Sequence, residues 1–378
     1  MSAQPFTFYE FFAGGGMARA GLGDGWACAF ANDFDAVKAA AYRDNYPDAA
    51  DHFRQGDVWQ LTAADLPGGV DLAWASSPCQ DFSLAGARAG LSGGRSSAFF
   101  GFWRLIEGLA AQGRAPRLVV IENVSGLLTS HGGRDFAALG EALAAQGYSF
   151  GALEIDAAVF TPQSRPRVFV VATREPPPAC LLGESPFHTR AVRAAAAALP
   201  ELLAERWRWW RLAAPPARNT DLAALLEPDG AVEWHAPART QRLLELMAPL
   251  HRTRLDAVRA RGGRDVGAVF RRTRIEHGRP VQRAEIRFDG LAGCLRTPRG
   301  GSSRQAIAVV DGGEVRTRLL SPRECARLMG LPDSYRLPAA ATSALHVTGD
   351  GVAVPVVRWL AAGLLEPLSK PAAFLAAE

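Results

Sequence analysis

The first 175 residues alternate between short apolar runs and longer stretches with helical spacing. Runs at Phe6 to Phe12, Leu72 to Ala75 and Leu118 to Ile121 have the length and apolar content of buried strands. Further strands are predicted at Trp26 to Ala31 and Val168 to Ala172, and helices near Asp35 to Arg43, Phe99 to Gln112 and Asp135 to Gln146. Because strands that alternate with helices build sheets covered on both faces, this order predicts a doubly wound α/β domain over residues 1–175.

The alternation stops at Glu175-Pro176-Pro177-Pro178. The next region is irregular and contains an alanine-rich helix around Val192 to Ala198, then tryptophans at 207, 209 and 210, then an arginine-rich segment. The tryptophans favour a core or interface role over stacking platforms for a ligand. We therefore predict a second, smaller domain over residues 176–344.

Composition excludes several classes of protein. The chain has 378 residues, 48% hydrophobic and 21% charged, so it can bury a large core and is not disordered. Its 5 cysteines are scattered without a C-x-x-C pair, which indicates neither a disulfide framework nor a zinc site. We expect no metal, no secretion leader and no membrane span, and a cytoplasmic location.

Positive charge is concentrated late in the chain. Between His251 and Gln305, fourteen arginines face five carboxylates, whereas the formal net charge of the whole chain is only +4. This stretch either neutralises nucleic-acid phosphates or forms a solvated face, and charge alone leaves both interpretations open.

Cys79 lies where an apolar strand stops. Leu72 to Ala75 is followed by Ser76, Ser77 and Pro78, which cannot continue the strand. The carboxyl edge of a parallel sheet is where ligands bind, so the position favours chemistry for a thiol that would otherwise be inert.

Glycines and acids follow the first strands. Phe12-Ala13-Gly14-Gly15-Gly16 turns from strand to helix and allows close backbone approach to a ligand, although a Gly-rich turn alone is a weak signal. Asp33 is placed to reach ribose hydroxyls, Phe34 to cover an adenine, and Asp57 adds a second acid before Val58. Two carboxylates disfavour a pyrophosphate and suit a nucleoside that carries a cation, as in S-adenosylmethionine.

Two later strands carry further polar groups. Glu122 and Asn123 directly follow Leu118 to Ile121, where an acid is often only a cap or a solvated group. Arg165 and Arg167 precede the last strand and are predicted to project on one side, either as structural ion-pair partners or as an anion clamp.

Taken in order, these motifs resemble those of the DNA cytosine-5 methyltransferase family of bacterial or phage type. The resemblance spans almost the whole chain and leaves out only the interior of the second domain. Its motifs are Phe12-Ala13-Gly14-x-Gly16, Pro78-Cys79-Gln80-x-Phe82-Ser83, Glu122-Asn123-Val124, Gln163-x-Arg165-x-Arg167, Arg318 to Glu324, Ala326 to Pro332, and Gly349 to Val356.

The resemblance implies a catalytic site without a metal. Cys79 would add to carbon 6 of cytosine, Glu122 would act at ring nitrogen 3 and Asn123 would fix the loop. Arg165 would contact the ring carbonyl oxygen and Arg167 would order the site. No residue is identified as the base that removes the carbon 5 proton.

The resemblance also implies a cofactor site, a DNA surface and a domain plan. The residues assigned to S-adenosylmethionine are Phe12, Gly14, Gly16, Asp33, Phe34, Asp57, Val58, Pro78 and Asp350. The residues assigned to DNA are Gln80, Ser83, Arg95, Arg296, Thr297, Arg299 and Arg304. Residues 1–175, completed by 345–378, would bind cofactor, and residues 176–344, with Arg318 to Pro332 at their end, would recognise the DNA target. A cytosine inside a duplex must be flipped out, and the segment from Gln80 to Ser97 suits a loop that closes over it.

Two sites depart from the family motifs, and several other functions remain open. Asp350 stands where the family usually has asparagine, and Ser76-Ser77 replaces a glycine and a bulky residue. The chain could instead methylate tRNA, although the Cys-Phe-Thr signature of those enzymes is absent, or be a non-catalytic DNA-binding relative. A nicotinamide-dependent dehydrogenase is disfavoured because the full G-x-G-x-x-G spacing is missing. A restriction endonuclease is a possible functional partner, not a bound subunit.

Overall fold

The computed structural model describes residues 4–77, 98–297 and 304–370 and divides into two compact units. The first unit contains residues 1–156, 166–216 and 351–378, and the second contains 157–165 and 217–350. The division therefore falls at residues 216 and 350 and not at 175 and 344, and the second unit also takes a short segment before the last strand of the first.

In the described part of the chain, the first unit is built on a seven-stranded sheet with the order β3-β2-β1-β4-β5-β7-β6. Its strands are β1 Phe6–Phe11, β2 Trp26–Asp33, β3 Phe53–Gln55, β4 Leu72–Ala75, β5 Leu118–Val124, β6 Ser149–Asp156 and β7 Pro166–Thr173. Neighbouring strands from β3 to β5 are parallel, whereas β7 runs antiparallel to both β5 and β6. The doubly wound α/β prediction is confirmed, with two strands, β3 and β6, that the apolar pattern did not reveal.

Helices accompany this sheet throughout the described residues before 216. They are α1 Met17–Leu22, α2 Ala36–Asn45, α3 Ala49–His52, α4 Ala98–Ala111, α5 Arg134–Ala145, α6 Arg190–Ala197 and α7 Glu201–Ala204. Phe99, Phe102 and Ile106 of α4 recur at helical spacing and are buried on the sheet with Val119 and Ile121 of β5. The core is therefore a sheet covered by amphipathic helices.

The tryptophan cluster belongs to the first unit, although it was predicted to lie in the second domain. Trp207 is buried in the core around Phe150, and the indole Nε1 of Trp210 donates to the carbonyl of Val171 at 3.0 Å. Because these large apolar side chains pack on β6 and β7, the unit continues to residue 216. Their expected core role is confirmed.

The described residues of the second unit contain a four-stranded antiparallel sheet with the order β11-β10-β8-β9. The helices and strands here are α8 Pro237–Glu245, α9 Pro249–Arg261, β8 Arg264–Glu276, β9 Arg279–Arg287, β10 Ala306–Asp311, β11 Glu314–Leu319, α10 Pro322–Leu328 and α11 Ala341–Asp350. Leu244, Leu255, Val269 and Ile286 form its core. The region that looks irregular in sequence therefore has a sheet of its own.

The described chain ends with helical residues of the first unit. These are α12 Val354–Leu360, a π-helical turn over Ala361–Leu365, and α13 Glu366–Ser369. Residues 341–369 are long and apolar enough to cross a membrane by length and composition, but residues 351–353 interrupt the helix and half of the most apolar window is buried inside the protein. Val357 packs against Gly21 of α1, so part of the apolar surface serves the core.

Candidate active site

A tight glycine turn joins β1 to α1. The amide of Gly16 donates to the carbonyl of Ala13 at 2.8 Å, and both Gly14 and Gly16 have positive φ angles, which glycine adopts without strain. A Cβ atom on Gly16 would lie 2.3 Å from Cε2 of Tyr46, whereas one on Gly14 would meet nothing within 4 Å. Gly16 is thus required for packing, and Gly14 leaves open space where a ligand can approach.

Asp33 at the end of β2 holds this turn. Its Oδ2 accepts the Gly14 amide at 2.7 Å and its Oδ1 accepts the Asp35 amide at 2.8 Å. Burial raises the pKa of the Asp33 carboxyl. Beside it, the side chain of Phe34 is 77% exposed, an unusual position for a large aromatic ring.

The loop after β3 is fastened to the same edge. The buried Asn32 side-chain amide donates to the carbonyls of Arg54 and Gly56, at 2.9 and 3.1 Å. Asp57 Oδ1 accepts the Trp59 amide at 3.0 Å, and Val58 is buried in the core. The loops after β1, β2 and β3 therefore form one supported cradle, which contains Phe12, Gly14, Gly16, Asp33, Phe34, Asp57 and Val58.

Glu10 supports this cradle and was missed in the sequence. Its carboxyl is buried in β1, where Oε1 accepts the Arg19 amide of α1 at 3.3 Å. Burial raises its pKa to about 8. Since Gly16 has no side chain with which to cap α1, Glu10 supplies that acceptor from the strand. The sequence does contain a signal for this role, because Glu10 is an acid inside the otherwise apolar run Phe6 to Phe12, which is predicted to be buried.

Asn123 connects β5 to the end of β4. Its side-chain amide donates to the carbonyl and the hydroxyl of Ser77, at 3.1 and 3.3 Å. Both residues are buried. The predicted residues Pro78, Cys79, Gln80, Ser83 and Arg95 lie outside the described part of the chain.

Glu122 and Arg167 form an ion pair on this sheet. Glu122 lies inside β5 and not in a loop after it, and its Oε1 is 3.2 Å from the Arg167 Nε. Glu122 is opposite Phe169 in the antiparallel register, so Arg167 is its diagonal neighbour on the same face. Glu122 is 6% exposed, and this buried acid therefore has a fixed cationic partner.

Arg165 has a different set of contacts. It precedes β7, belongs to the second unit, and is 2% exposed. Its Nη1 donates to the Leu295 carbonyl and its Nη2 to the Gly349 carbonyl, both at 3.0 Å. Arg165 and Arg167 therefore have different partners, and their projection on one side stays a prediction.

The other predicted residues of the second unit are spread over two places. Thr297 donates from its hydroxyl to the carboxylate of Asp350, which joins a predicted DNA residue to a predicted cofactor residue. Arg296 is exposed, while Arg304 is half-buried and its guanidinium lies 3.4 Å from the Leu320 carbonyl. Arg299 lies outside the described residues.

Three further motif residues are structural in their contacts. Gln163 is fully buried, donates to the Leu328 carbonyl at 3.0 Å and accepts the Leu295 amide at 3.1 Å. Arg318 and Glu324 form a buried ion pair with two contacts of 2.7 Å. Within residues 4–77, 98–297 and 304–370, no group of three or more His, Cys, Asp or Glu side chains could hold a metal ion.

A protein-family model matches nearly the whole chain. The model for the C-5 cytosine-specific DNA methylase matches residues 6–366. The chain belongs to this family. Members of the family are S-adenosylmethionine-dependent enzymes, and the resemblance inferred from the motifs is confirmed.

Curated relatives of this methylase include type II methyltransferases. Type II methyltransferase M.HhaI of Haemophilus parahaemolyticus is 25% identical over 356 residues, 94% of this chain and 92% of the relative. M.BsuFI of Bacillus subtilis is 27% identical over 367 residues, 96% of this chain and 73% of the relative.

Solved structures agree on the fold of this methylase. The Dnmt2 methyltransferase of S. pombe has a TM-score of 0.61 at 17% identity and covers 96% of this chain and 99% of its own. A putative DNA modification methyltransferase encoded within an E. coli prophage has a TM-score of 0.54 at 18% identity, covering 97% and 100%. These identities support the Rossmann-like methyltransferase fold and nothing finer.

Proposed function

We propose that this methylase transfers a methyl group from S-adenosylmethionine to carbon 5 of a cytosine in duplex DNA. The observation that carries the proposal is the Glu122–Arg167 pair on β5 and β7, next to the strand that leads through Ser77 to Cys79. A buried acid with a fixed cation, beside a strand that leads to a thiol, fits attack on a ring that must accumulate negative charge.

The cradle after β1, β2 and β3 fits the cofactor. Gly14 leaves open space, Asp33 keeps lone pairs on oxygens that already accept two amides, and Phe34 exposes an aromatic face. Phe12, Gly14, Gly16, Asp33, Phe34, Asp57 and Val58 would hold the nucleoside, together with Pro78 and Asp350. When bound, S-adenosylmethionine supplies an electrophilic methyl group.

Cys79 overcomes the low reactivity of the target atom. Its thiolate forms a bond to carbon 6, and the electron pair of the 5,6 double bond becomes available at carbon 5. A hydrogen bond between Glu122 and ring nitrogen 3 relieves the negative charge that addition creates. After carbon 5 takes the methyl group, its proton leaves and the carbon 6 to sulfur bond breaks, which restores the ring and the thiolate.

The resemblance assigns Arg165 to the ring carbonyl oxygen and Arg167 to the ordering of the site. The contacts favour the opposite assignment. Arg165 uses its guanidinium on two backbone carbonyls, whereas Arg167 lies beside Glu122. We therefore assign Arg167 to the ring carbonyl oxygen and to the orientation of Glu122. Arg165 is a positioning residue that holds residues 295 and 349 together, and Asn123 positions Ser77 and the segment after it.

Reaction inside a duplex requires the cytosine to leave the stack. Unstacking costs a few kcal/mol, which contacts in the pocket and along the backbone offset. The second unit would select the target sequence, with DNA contacts at Gln80, Ser83, Arg95, Arg296, Thr297, Arg299 and Arg304. The enzyme would act either alone or as the modification partner of a restriction endonuclease.

Radiolabelled S-adenosylmethionine tests the reaction directly. We expect label in duplex DNA and none in tRNA, and label in tRNA alone would contradict the proposal. Bisulfite sequencing of a plasmid that is propagated with the gene should then show one recurrent sequence around each methylated cytosine.

Trapping tests the covalent step. DNA with 5-fluorocytosine should give an adduct that survives denaturing gels, because fluorine cannot leave carbon 5 as a proton does. Cys79→Ala should abolish the adduct and the transfer while cofactor and DNA binding persist. Cys180→Ala is the matched control, since Cys180 is an exposed free thiol elsewhere in the first unit. Equal loss in both variants, or loss of both binding activities with Cys79→Ala, would make Cys79 structural.

A further inference from the structure

The β8–β9 hairpin of the second unit extends beyond the core that supports it. Val269, Ala284 and Ile286 are buried in the core of that unit, but the side chains from Arg271 to Ile275 on β8 are exposed. We define residues 271–283 as the basic arm. It contains five arginines and a single carboxylate, Glu276.

The turn of the basic arm is narrow. Glu276 pairs with Arg279, so the connection consists of His277 and Gly278, both with positive φ angles. Two such residues form the tight hairpin turn that matches the twist of the strands. The arm is therefore a slim two-stranded ribbon, a shape that the major groove of B-form DNA admits.

The two faces of the arm differ in charge. Side chains alternate along a strand, so Arg272, Arg274 and Glu276 share one face. On that face Glu285 pairs with Arg272 and Arg274, and Glu276 pairs with Arg283. Arg279, opposite Glu276, lies on the same face, so two carboxylates offset the charge of two of its four arginines.

The opposite face carries a different set of groups. Arg271, Thr273 and Ile275 alternate with the paired residues, and Gln282 and Pro280 lie across from Thr273 and Ile275. Arg271 contacts no carboxylate among the residues that the structure describes. Ile275 is 72% exposed and places an apolar side chain on this face.

We propose that the basic arm enters the major groove of the DNA target and that this second face reads base edges. This inference rests on the proposed function, because the substrate must be duplex DNA. Arg271 matches guanine or a phosphate, Gln282 and Thr273 match base donors and acceptors, and Ile275 matches the thymine methyl group. The face that carries the ion pairs is turned away from the bases.

Neighbouring arginines provide the matched test. Arg271→Ala removes an exposed cation from the reading face, and Arg272→Ala removes one that is paired with Glu285 on the other face. We expect Arg271→Ala to weaken duplex binding about tenfold and to reduce the slope of log Kd against log salt by about 1. Arg272→Ala should change the affinity less than about twofold.

Thr273→Ala with Gln282→Ala tests base reading. The ratio of methylation at the cognate site to that at single-mismatch sites should fall about 10- to 100-fold, measured by sequencing of methylated cytosines in a randomised plasmid pool. The turnover number at saturating cognate DNA should stay constant while the KM for DNA rises. Unchanged melting temperatures will establish that the variants fold.

Several results would overturn the assignment. An unchanged methylation pattern in the double variant, or equal affinity losses for Arg271→Ala and Arg272→Ala, would remove the arm from base reading. Equally tight binding of an RNA duplex of the same sequence would exclude the major groove, because that of A-form RNA is too narrow for side chains to read. If the wild-type protein labels no DNA at all, the proposed function fails and not the arm.

Discussion

Two arginine–glutamate pairs, one in each unit, show how the same residue types serve different ends. Glu122 and Arg167 have a contact of 3.2 Å between the carboxylate and Nε, and the arginine side chain is 16% exposed. Arg318 and Glu324 have two contacts of 2.7 Å, and both side chains are 1% exposed. The first pair leaves donors and acceptors for another molecule, and the second leaves few.

The surroundings of the second pair complete this contrast. Glu324 also accepts the amides of Ser321 and Glu227, at 2.9 and 2.8 Å, so both of its oxygens have several donors. Ser321 caps α10 and forms a capping box with Glu324. A buried ion pair whose carboxylate oxygens each accept two donors fixes a local structure, whereas a partly exposed pair with fewer contacts, near the carboxyl end of β5, is suited to bind a substrate.

The largest expected effect is the loss of stability when the Arg318–Glu324 pair is broken. Arg318→Ala should lower the free energy of unfolding by about 3–5 kcal/mol, because Glu324 is then buried without its cation. Urea denaturation measures this loss. The double variant Arg318→Met with Glu324→Leu should recover part of it, and no recovery would mean that the pair does more than satisfy buried charge.

Breaking the Glu122–Arg167 pair should reduce catalytic activity far more than stability. We expect Arg167→Ala to reduce the rate of methyl transfer about 10²- to 10³-fold with only about 1 kcal/mol lost in stability. Arg165→Gln is the comparison, because it leaves buried carbonyls at residues 295 and 349 without their donors and should cost about 1–3 kcal/mol in stability. Single-turnover rates and urea midpoints for both variants decide between the roles, and the reverse pattern would restore Arg165 to the ring.

The smallest effect concerns Glu10, a buried acid that accepts a backbone amide where the other two acids pair with an arginine side chain. Its pKa is about 8 when folded and near 4.5 when exposed, so the folded chain holds a proton that the unfolded chain has lost in that window. The stabilisation is complete below about pH 4.5 and is lost as the pH rises through about 8. When the pH is raised from 6 to 7, the free energy of unfolding of the wild type should therefore fall by about 1 kcal/mol relative to that of Glu10→Gln. Parallel stability curves for the two proteins would contradict the buried, protonated acid.

Local patterns predicted the first unit better than the second. Runs such as Leu72 to Ala75 and Leu118 to Ile121 are recognisable because strands that are buried on both faces are continuously apolar. β6 was missed since Ser149–Asp156 mixes glycine and charge with its buried residues, and β8 was missed because its outer half is exposed on both faces and resembles a charge run. An antiparallel ribbon with little core behind it has no apolar period to detect.

The candidate site also contains residues that local sequence patterns predict and residues whose contacts they do not predict. Motif order predicted Glu122, Asn123 and Arg167, whose neighbours follow from the strand register. The contacts of Arg165 depend on carbonyls at residues 295 and 349, far away in sequence, and no local pattern specifies them. The same is true of the contact between Thr297 and Asp350.

The late position of α12 has a consequence for how the chain is made. Val357 packs on Gly21, Arg358 donates to the Leu22 carbonyl, and Gly351 lies against Met17, so the helix after the glycine turn is covered by residues far later in the chain. A ribosome releases those residues after every strand of both sheets. The cradle of the first unit is therefore completed only once residues 351–358 have emerged, and a nascent chain that stops before them lacks the packing that holds α1 in place.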